Sequence, residues 1–236
     1  MYFIVILFGI TQQVFVRGRL FVAGDAVATA ESLRSMELLW RSGLVLEIGM
    51  LFATIALAWV LHCLLRPVSK ELSLLALLFC LSAVAVEASY TLRALEALFP
   101  LGSGAYLNAW TTEQLAAMSY LSARAHVLGF GVALLLFTPF FFVVGYLIFK
   151  SGYFPRVLGV LYQIAGGSYL AYGTTQILAP KLAGTVFAII AGPAFIGELS
   201  LCLWLLIRGA DPYGRNGWRP GATSSAQSRP EPGVTT

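Results

Sequence analysis

Long apolar blocks without charges are the feature of this sequence that most limits its fold. They run for about 15 to 25 residues each, which is too long for core strands, whereas a membrane β-barrel needs short segments that alternate in period two. Charged residues make up 11% of the chain, less than half of the roughly 25% in a typical soluble domain. The sequence therefore predicts an all-α, polytopic helical membrane bundle.

Six membrane spans are predicted, since about 20 apolar residues cross the hydrocarbon layer as a helix. They cover residues 1–16, 43–65, 72–95, 125–149, 157–178 and 185–207. We interpret residues 1–209 as one transmembrane domain. The remaining residues, 210–236, are rich in Gly, Pro, Ser and Arg, and we expect them to form a disordered cytoplasmic tail.

The first span is short, and no basic residue precedes it. We expect a retained helix whose start is truncated. A cleaved signal peptide is the alternative, although its basic region would lie ahead of the apolar run, and here Arg17 and Arg19 follow it.

The distribution of Lys and Arg predicts the orientation. With the N-terminus inside, the inner segments hold eight of these residues and the outer loops five, so the positive-inside rule favours a plasma-membrane protein with both termini in the cytoplasm. Both long connections then lie on the outer face. In the second of them, Thr112 is the expected N-cap of the helix that leads into the fourth span.

The first long connection contains Gly24 and Asp25 as an N-terminal cap, followed by apolar residues at helical spacing. This pattern predicts an interfacial helix over residues 24–42 that ends at Gly43. A helical hairpin that packs on its neighbours is the alternative.

Two stretches of the second half resemble a known family. They are residues 145–161, GYLIFKSGYFPRVLGVL, and residues 193–206, PAFIGELSLCLWLL. Together with residues 15–20, FVRGRL, residues 24–26, and His126 with Gly129 and Phe130, they resemble bacterial integral membrane proteins grouped as domain of unknown function 4386. The resemblance extends to about Gly209. Family members usually have a longer first helix with basic residues ahead of it, and the family carries no activity, substrate or catalytic residue to transfer.

Motifs that would indicate an enzyme or a metal protein are absent from the sequence. It has no HExxH, GxGxxG or P-loop pattern, and its three cysteines lie in apolar blocks without a CxxC pair. The basic residues form no stripe with interleaved aromatics, which argues against nucleic-acid binding. We therefore expect no catalytic residue, metal or cofactor, and we lean towards a protein that is not an enzyme.

Ionisable and polar groups within the spans are the remaining candidates for a site. A charge at the bilayer centre costs roughly 2.5 to 3.5 kcal/mol on insertion scales, so such groups face protein or water and find partners. In span three, Glu87, Tyr90 and Arg93 step by three residues and form a slanting polar ridge, with Arg93 as the expected counter-ion of the buried acids. The candidates for ligand or ion binding are Glu47, Glu87, Tyr90, Arg93, His126, Tyr169, Tyr172 and Glu198.

Glu198 differs from the others because it lies near the middle of the last span, where no Lys or Arg lies at comparable depth. We expect a neutral carboxylic acid that is hydrogen-bonded to a neighbouring carbonyl. A proton or cation relay is the alternative.

Three classes of function remain open for a chain whose surroundings are the lipid bilayer. The first is a membrane protein that binds or moves an unknown small molecule or ion through an outward-facing polar cluster. The second is a membrane-embedded enzyme that acts on a lipid-like substrate, with His126 or Glu87 as the acid or base. The third is an accessory or structural subunit whose polar groups only hold helices together.

Overall fold

The computed structural model describes residues 1–209, and helices make up most of this range. Its seven helices are α1 Tyr2–Leu20, α2 Ala26–Ser35, α3 Glu37–Leu65, α4 Lys70–Glu96, α5 Thr112–Lys150, α6 Arg156–Leu178 and α7 Ala183–Ile207. Two short 3-10 turns, Phe99–Leu101 and Ala105–Ala109, join α4 to α5. Residues 1–209 contain no strand, so the predicted all-α bundle is confirmed. The tail predicted to be disordered lies outside the described residues.

Five of these helices, α1, α3, α4, α5 and α7, are long and apolar enough to cross a membrane. The sixth predicted span forms α6, which has 23 residues but includes Gly, Ser, Thr, Tyr and Gln residues that make it less apolar than the others. Helix α6 packs between α5 and α7 along its length. Its crossing of a membrane therefore stays a prediction.

The helices alternate in direction, so the long connections meet at one end of the bundle, which we call the loop end. There the indole Nε1 of Trp40 at the start of α3 donates to the carbonyl of Ala94 near the end of α4, at 2.8 Å. Ser119 near the start of α5 donates to the carbonyl of Ala97 at 2.7 Å. The turns 66–69 and 151–155 lie at the opposite end.

Helix α2 begins as the sequence predicts, because the Asp25 carboxylate accepts a hydrogen bond from the Ala28 amide at 2.9 Å. The prediction of one helix over residues 24–42 is wrong, however. The backbone of Met36 leaves the helical region, with φ −125° and ψ 38°, and α3 begins at Glu37.

The start of α3 belongs to the bundle rather than to the membrane surface. Trp40 and Leu44 are buried against the last turns of α4 and the end of α1. Gly43, the predicted end of the interfacial helix, lies inside α3, where a side chain would collide with Val16. Because Trp40 and Leu44 are buried, the first turns of α3 pack within the bundle.

Helix α5 begins well before the predicted fourth span. Its N-cap is Thr111 rather than the expected Thr112, and the Thr111 hydroxyl and the Gln114 side chain form a reciprocal capping box. The prediction of the cap was wrong by one residue, because Thr111 and Thr112 are both good caps and the glutamine that completes the box selects the first.

Glycines bring α5 and α6 into backbone contact. A Cβ atom added to Gly145 of α5 would lie 2.7 Å from the carbonyl oxygen of Gly159 in α6. One added to Gly173 of α6 would lie 2.8 Å from the carbonyl oxygen of Gly131 in α5. Such small-residue contacts allow membrane helices to approach closely. By contrast, α1 packs mainly on α3 and touches α7 at few positions.

Candidate ligand-binding site

Glu47 is the centre of a buried polar cluster. Its side chain lies on α3 and is 1% exposed. The amide Nε2 of Gln12 donates to Oε2 at 2.7 Å, and the hydroxyl of Thr91 donates to Oε1 at 3.1 Å. Both carboxylate oxygens thus have partners, as burial of a charged group requires.

A cation and an imidazole complete this cluster. Arg17 Nη2 lies 3.6 Å from Glu47 Oε1, and His126 Nε2 lies 3.0 Å from Oε1 and 3.1 Å from Oε2. The guanidinium carbon of Arg17 also lies 5.0 Å from the centre of the Phe130 ring, within cation–π range. We call Gln12, Arg17, Glu47, Thr91 and His126 the Arg17 cluster.

His126 is fully buried and is held from three sides. Its Nε2 lies 3.1 Å from Arg17 Nη2 as well as near Glu47, yet one ring nitrogen either donates or accepts a hydrogen bond and cannot do both at once. Arg17 repels an imidazolium and Glu47 attracts one, so burial of the ring decides between the two forms and favours the neutral ring. Tyr90 packs on this ring, with the ring centres 5.1 Å apart.

A π-helical segment of α1, Thr11–Arg17, presents two members of the cluster. In an α-helix, residues five apart point about 140° away from each other, because each residue turns by about 100°. The i→i+5 bonding of a π-helix brings such residues to nearly the same side. Gln12 and Arg17 are five apart, and both reach Glu47. One helix thereby supplies a neutral donor and a cation to the same carboxylate.

Four of the predicted site residues meet at this end of the bundle: Glu47, Glu87, Tyr90 and His126. Glu87 is 6% exposed on α4 and lies close enough to Tyr90 and Glu47 to interact electrostatically with both. Predicting these positions from the sequence was possible because polar residues inside apolar helices must face protein.

Arg93 does not belong to the cluster, and its prediction as the counter-ion of the buried acids is wrong. Its side chain is 58% exposed and pairs with Glu96 at 2.8 Å. A step of three residues turns back about 60° around a helix. Arg93 therefore lies about 120° around α4 from Glu87 and faces outward. The cation that neutralises the buried acid is Arg17.

A second polar group surrounds Glu198 on α7. The hydroxyl of Tyr169 donates to Glu198 Oε1, so the partner is a hydroxyl rather than the predicted carbonyl, and the neutral form of Glu198 stays a prediction. Nearby, the hydroxyl of Tyr2 donates to that of Tyr162 at 3.2 Å, and the Tyr162 ring stacks on Phe141 with centres 4.6 Å apart. We call Tyr2, Tyr162, Tyr169 and Glu198 the Glu198 cluster.

Tyr172 lies outside both clusters. Its hydroxyl accepts a hydrogen bond from Gln176 Nε2 at 3.3 Å, and its ring packs against Phe187 with centres 5.1 Å apart. It supports the packing of α6 against α7.

A cavity of about 410 Å³ connects the two clusters. Arg17, Glu47 and Glu87 line it in one part, and Tyr162, Tyr169 and Glu198 line it in another. The rest of the wall is mainly apolar and includes Met50, Phe130, Ala133, Phe137, Ala191 and Phe195. The structure therefore joins residues of α1, α3, α4, α5, α6 and α7 around one space.

Sequence reasoning missed Gln12, Arg17 and Thr91. Arg17 ended the first apolar block and was therefore counted as a loop residue. The signal that would have found it is the pair Gln12 and Gln13 upstream, because amides inside an apolar run indicate an inward-facing polar surface. Thr91 carries no such signal, since threonine in a membrane helix commonly bonds to its own backbone.

These helices and their apolar surfaces define a multi-pass helical membrane protein. Within that class, the chain belongs to the DUF4386 family, a domain of unknown function, whose model matches residues 1–209. The resemblance seen in the sequence is thus confirmed. The chain is also similar to an uncharacterized protein of Archaeoglobus fulgidus, with 31% identity over 158 residues, which are 66% of this chain and 76% of the relative. No solved structure matches the chain.

Proposed function

We propose that this protein binds a small molecule with an apolar body in the cavity between the Arg17 and Glu198 clusters. The observation that carries the proposal is the cavity itself. Its volume of about 410 Å³ lies within the roughly 300 to 1,000 Å³ typical of ligand pockets, which are mostly apolar with a few placed polar groups.

A purely structural role for the buried polar groups explains less. The Arg17 cluster does link α1, α3, α4 and α5. Helix-packing contacts alone would close this space, because unfilled space deprives its lining atoms of packing partners. The space is instead open on the side where α1 and α7 touch at few positions, so a molecule with an apolar body can enter and fill it.

Binding is also better supported than catalysis. His126, the strongest acid–base candidate, is fully buried, and its Nε2 is already taken up by Glu47 and Arg17. A general base must come within hydrogen-bond reach of the proton that it removes. His126 is not among the residues that line the cavity, so an occupant does not meet it.

For location, we propose the plasma membrane, with both termini in the cytoplasm. The support is the distribution of Lys and Arg, with eight in the segments on one side and four on the other once Arg17, which is buried in the bundle, is left out. In this orientation the loop end faces outward, and the Arg17 cluster lies nearer to the outer surface than to the cytoplasm.

Saturable photolabelling tests the cavity as a binding site. The protein in phosphatidylcholine nanodiscs is irradiated with a photoactivatable decanol analogue, and the labelled residues are mapped by mass spectrometry. We expect labelling of cavity side chains such as Phe195, and we expect excess decanol to abolish it. Labelling of lipid-facing side chains such as Ile189, which is 69% exposed, should not saturate.

A matched pair of substitutions on α7 provides the control. Ala191→Phe fills the cavity, because Ala191 lines it, whereas Ala188→Phe adds the same ring to the exposed surface. The saturable labelling should be lost in the first variant and kept in the second. Labelling that is not saturable in the wild type, or that persists in a folded Ala191→Phe variant, would contradict the proposal.

A further inference from the structure

The charges around the cavity differ between its two clusters. In the Arg17 cluster, the guanidinium offsets Glu47, and Arg17 also attracts Glu87, which Glu47 repels. That part of the cavity therefore holds one cation and two acids. A positively charged ligand would meet repulsion from Arg17 there as well as attraction from Glu87.

The Glu198 cluster has an acid that forms no ion pair. The ion pairs formed among residues 1–209 are Arg17–Glu47, Arg41–Glu37 and Arg93–Glu96, and none of them includes Glu198. The groups that approach its carboxylate are the hydroxyl of Tyr169 and, at longer range, those of Tyr2 and Tyr162. Burying an ionised carboxylate without a counter-ion is costly, so Glu198 is the neutral acid that the sequence predicts while the cavity is empty and becomes ionised when an occupant brings positive charge.

Aromatic rings surround the same carboxylate. Tyr162 and Tyr169 both line the cavity, and Phe141 packs against both, with ring centres 4.6 Å and 5.0 Å away. The faces of aromatic rings attract cations, and aromatic enclosures are a common means of recognising quaternary ammonium groups. The rings favour a cation with an apolar surface over a strongly hydrated one.

Taking these observations together, and resting on the proposed function, we infer that the ligand is a lipophilic cation, whose ammonium group binds between Glu198 and the rings of Tyr162 and Tyr169. Its apolar body lies along the wall formed by Phe137 and Ala133 towards the Arg17 cluster. Glu198 supplies the charge that selects this ligand, and the tyrosines supply an enclosure that excludes water from it.

Competition among three probes with one apolar chain tests the inference. Decyltrimethylammonium, decanol and decyl sulfate each compete with the photoactivatable decanol analogue in the same nanodiscs. We expect decyltrimethylammonium to displace the label at a concentration about tenfold lower than decanol, and decyl sulfate to be the weakest competitor. Saturable labelling with equal competition by all three probes would overturn the inference while leaving the proposed function intact, whereas unsaturable labelling would remove both.

Three isosteric variants locate the charge. In Glu198→Gln the advantage of decyltrimethylammonium over decanol should fall to about one, because the amide keeps an acceptor for Tyr169 but carries no charge. Glu96→Gln, at the exposed pair with Arg93, should keep the wild-type advantage. Glu87→Gln removes an acid from the other end of the cavity and should lower the advantage less than Glu198→Gln does. An advantage that survives in Glu198→Gln, or that falls further in Glu87→Gln, would overturn the assignment to Glu198.

Discussion

At the scale of single residues, stability depends on which arginine neutralises the buried acid. Arg17→Met leaves Glu47 as a buried charge without its cation, and breaking such a pair costs about 3 to 5 kcal/mol. We expect this loss in the free energy of unfolding, measured by denaturant titration in mixed micelles. Arg93→Met removes only an exposed pair and should stay within about 0.5 kcal/mol of wild type.

A double variant separates charge from packing. Adding Glu47→Gln to Arg17→Met removes the unpaired carboxylate, so the double variant should regain part of the lost stability. Equal destabilisation by Arg17→Met and Arg93→Met, or no recovery in the double variant, would show that the Arg17–Glu47 pair is not what holds this end of the bundle together.

The same residues show how far sequence reasoning reaches. Glu47, Glu87, Tyr90 and His126 were predictable as inward-facing, because each lies in an apolar helix whose lipid side rejects polar groups. Their partners were not predictable. Hydropathy marks where an apolar span ends, but it does not show whether the side chain of the next polar residue faces the bundle or the loop. Arg17 lies at that boundary.

At the scale of a helix, the π-helical segment of α1 makes a prediction of its own. Deleting Phe15, which is 50% exposed, removes one residue from Thr11–Arg17 and favours ordinary α-helical bonding there. Gln12 and Arg17 are then four residues apart and still share a side, because such residues are neighbours on the surface of an α-helix. We therefore expect the Gln12 bond to Glu47 to be kept and the free energy of unfolding to stay within about 1 kcal/mol of wild type, measured in the same micelle titration.

Phe15→Ala is the control, because it removes the side chain while keeping the residue count. It should leave stability within about 0.5 kcal/mol of wild type. If the deletion proved far more harmful than this substitution, the π-helical bonding itself, and not only the side that Gln12 and Arg17 share, would be needed to hold Glu47.

Helix boundaries show the limits of sequence reasoning at this scale. The apolar cores of the helices followed from composition, yet α3 and α5 begin well before the apolar blocks do. The first turn of α5 is fixed by its capping box, whereas α3 has no side-chain cap and its first turn is fixed by tertiary burial, such as that of Trp40. The break at Met36 likewise has no Gly or Pro to mark it.

At the scale of the whole molecule, cysteine labelling from outside the cell tests the orientation. Lys70 and Ser103 are exposed residues at opposite ends of the bundle. With the exposed native Cys63 replaced by serine, we expect a membrane-impermeant thiol reagent to label Ser103→Cys in intact cells. Lys70→Cys should react only after permeabilisation, because positively charged turns are retained inside. The opposite pattern would invert the proposed topology.

Helices α5 and α6 are in backbone contact at their glycines, whereas α1 and α7 touch at few positions. The second pair therefore offers a ligand a route into the cavity. Ile10, Val14 and Phe195 line the cavity and are also at least 40% exposed on the side of α1 and α7. In a membrane this side faces acyl chains rather than water. A ligand of the proposed kind would therefore arrive sideways, after dissolving in the bilayer, and occupancy would follow its partitioning into lipid. A compound's concentration in the surrounding medium would then be a poor guide to how much of the protein it occupies.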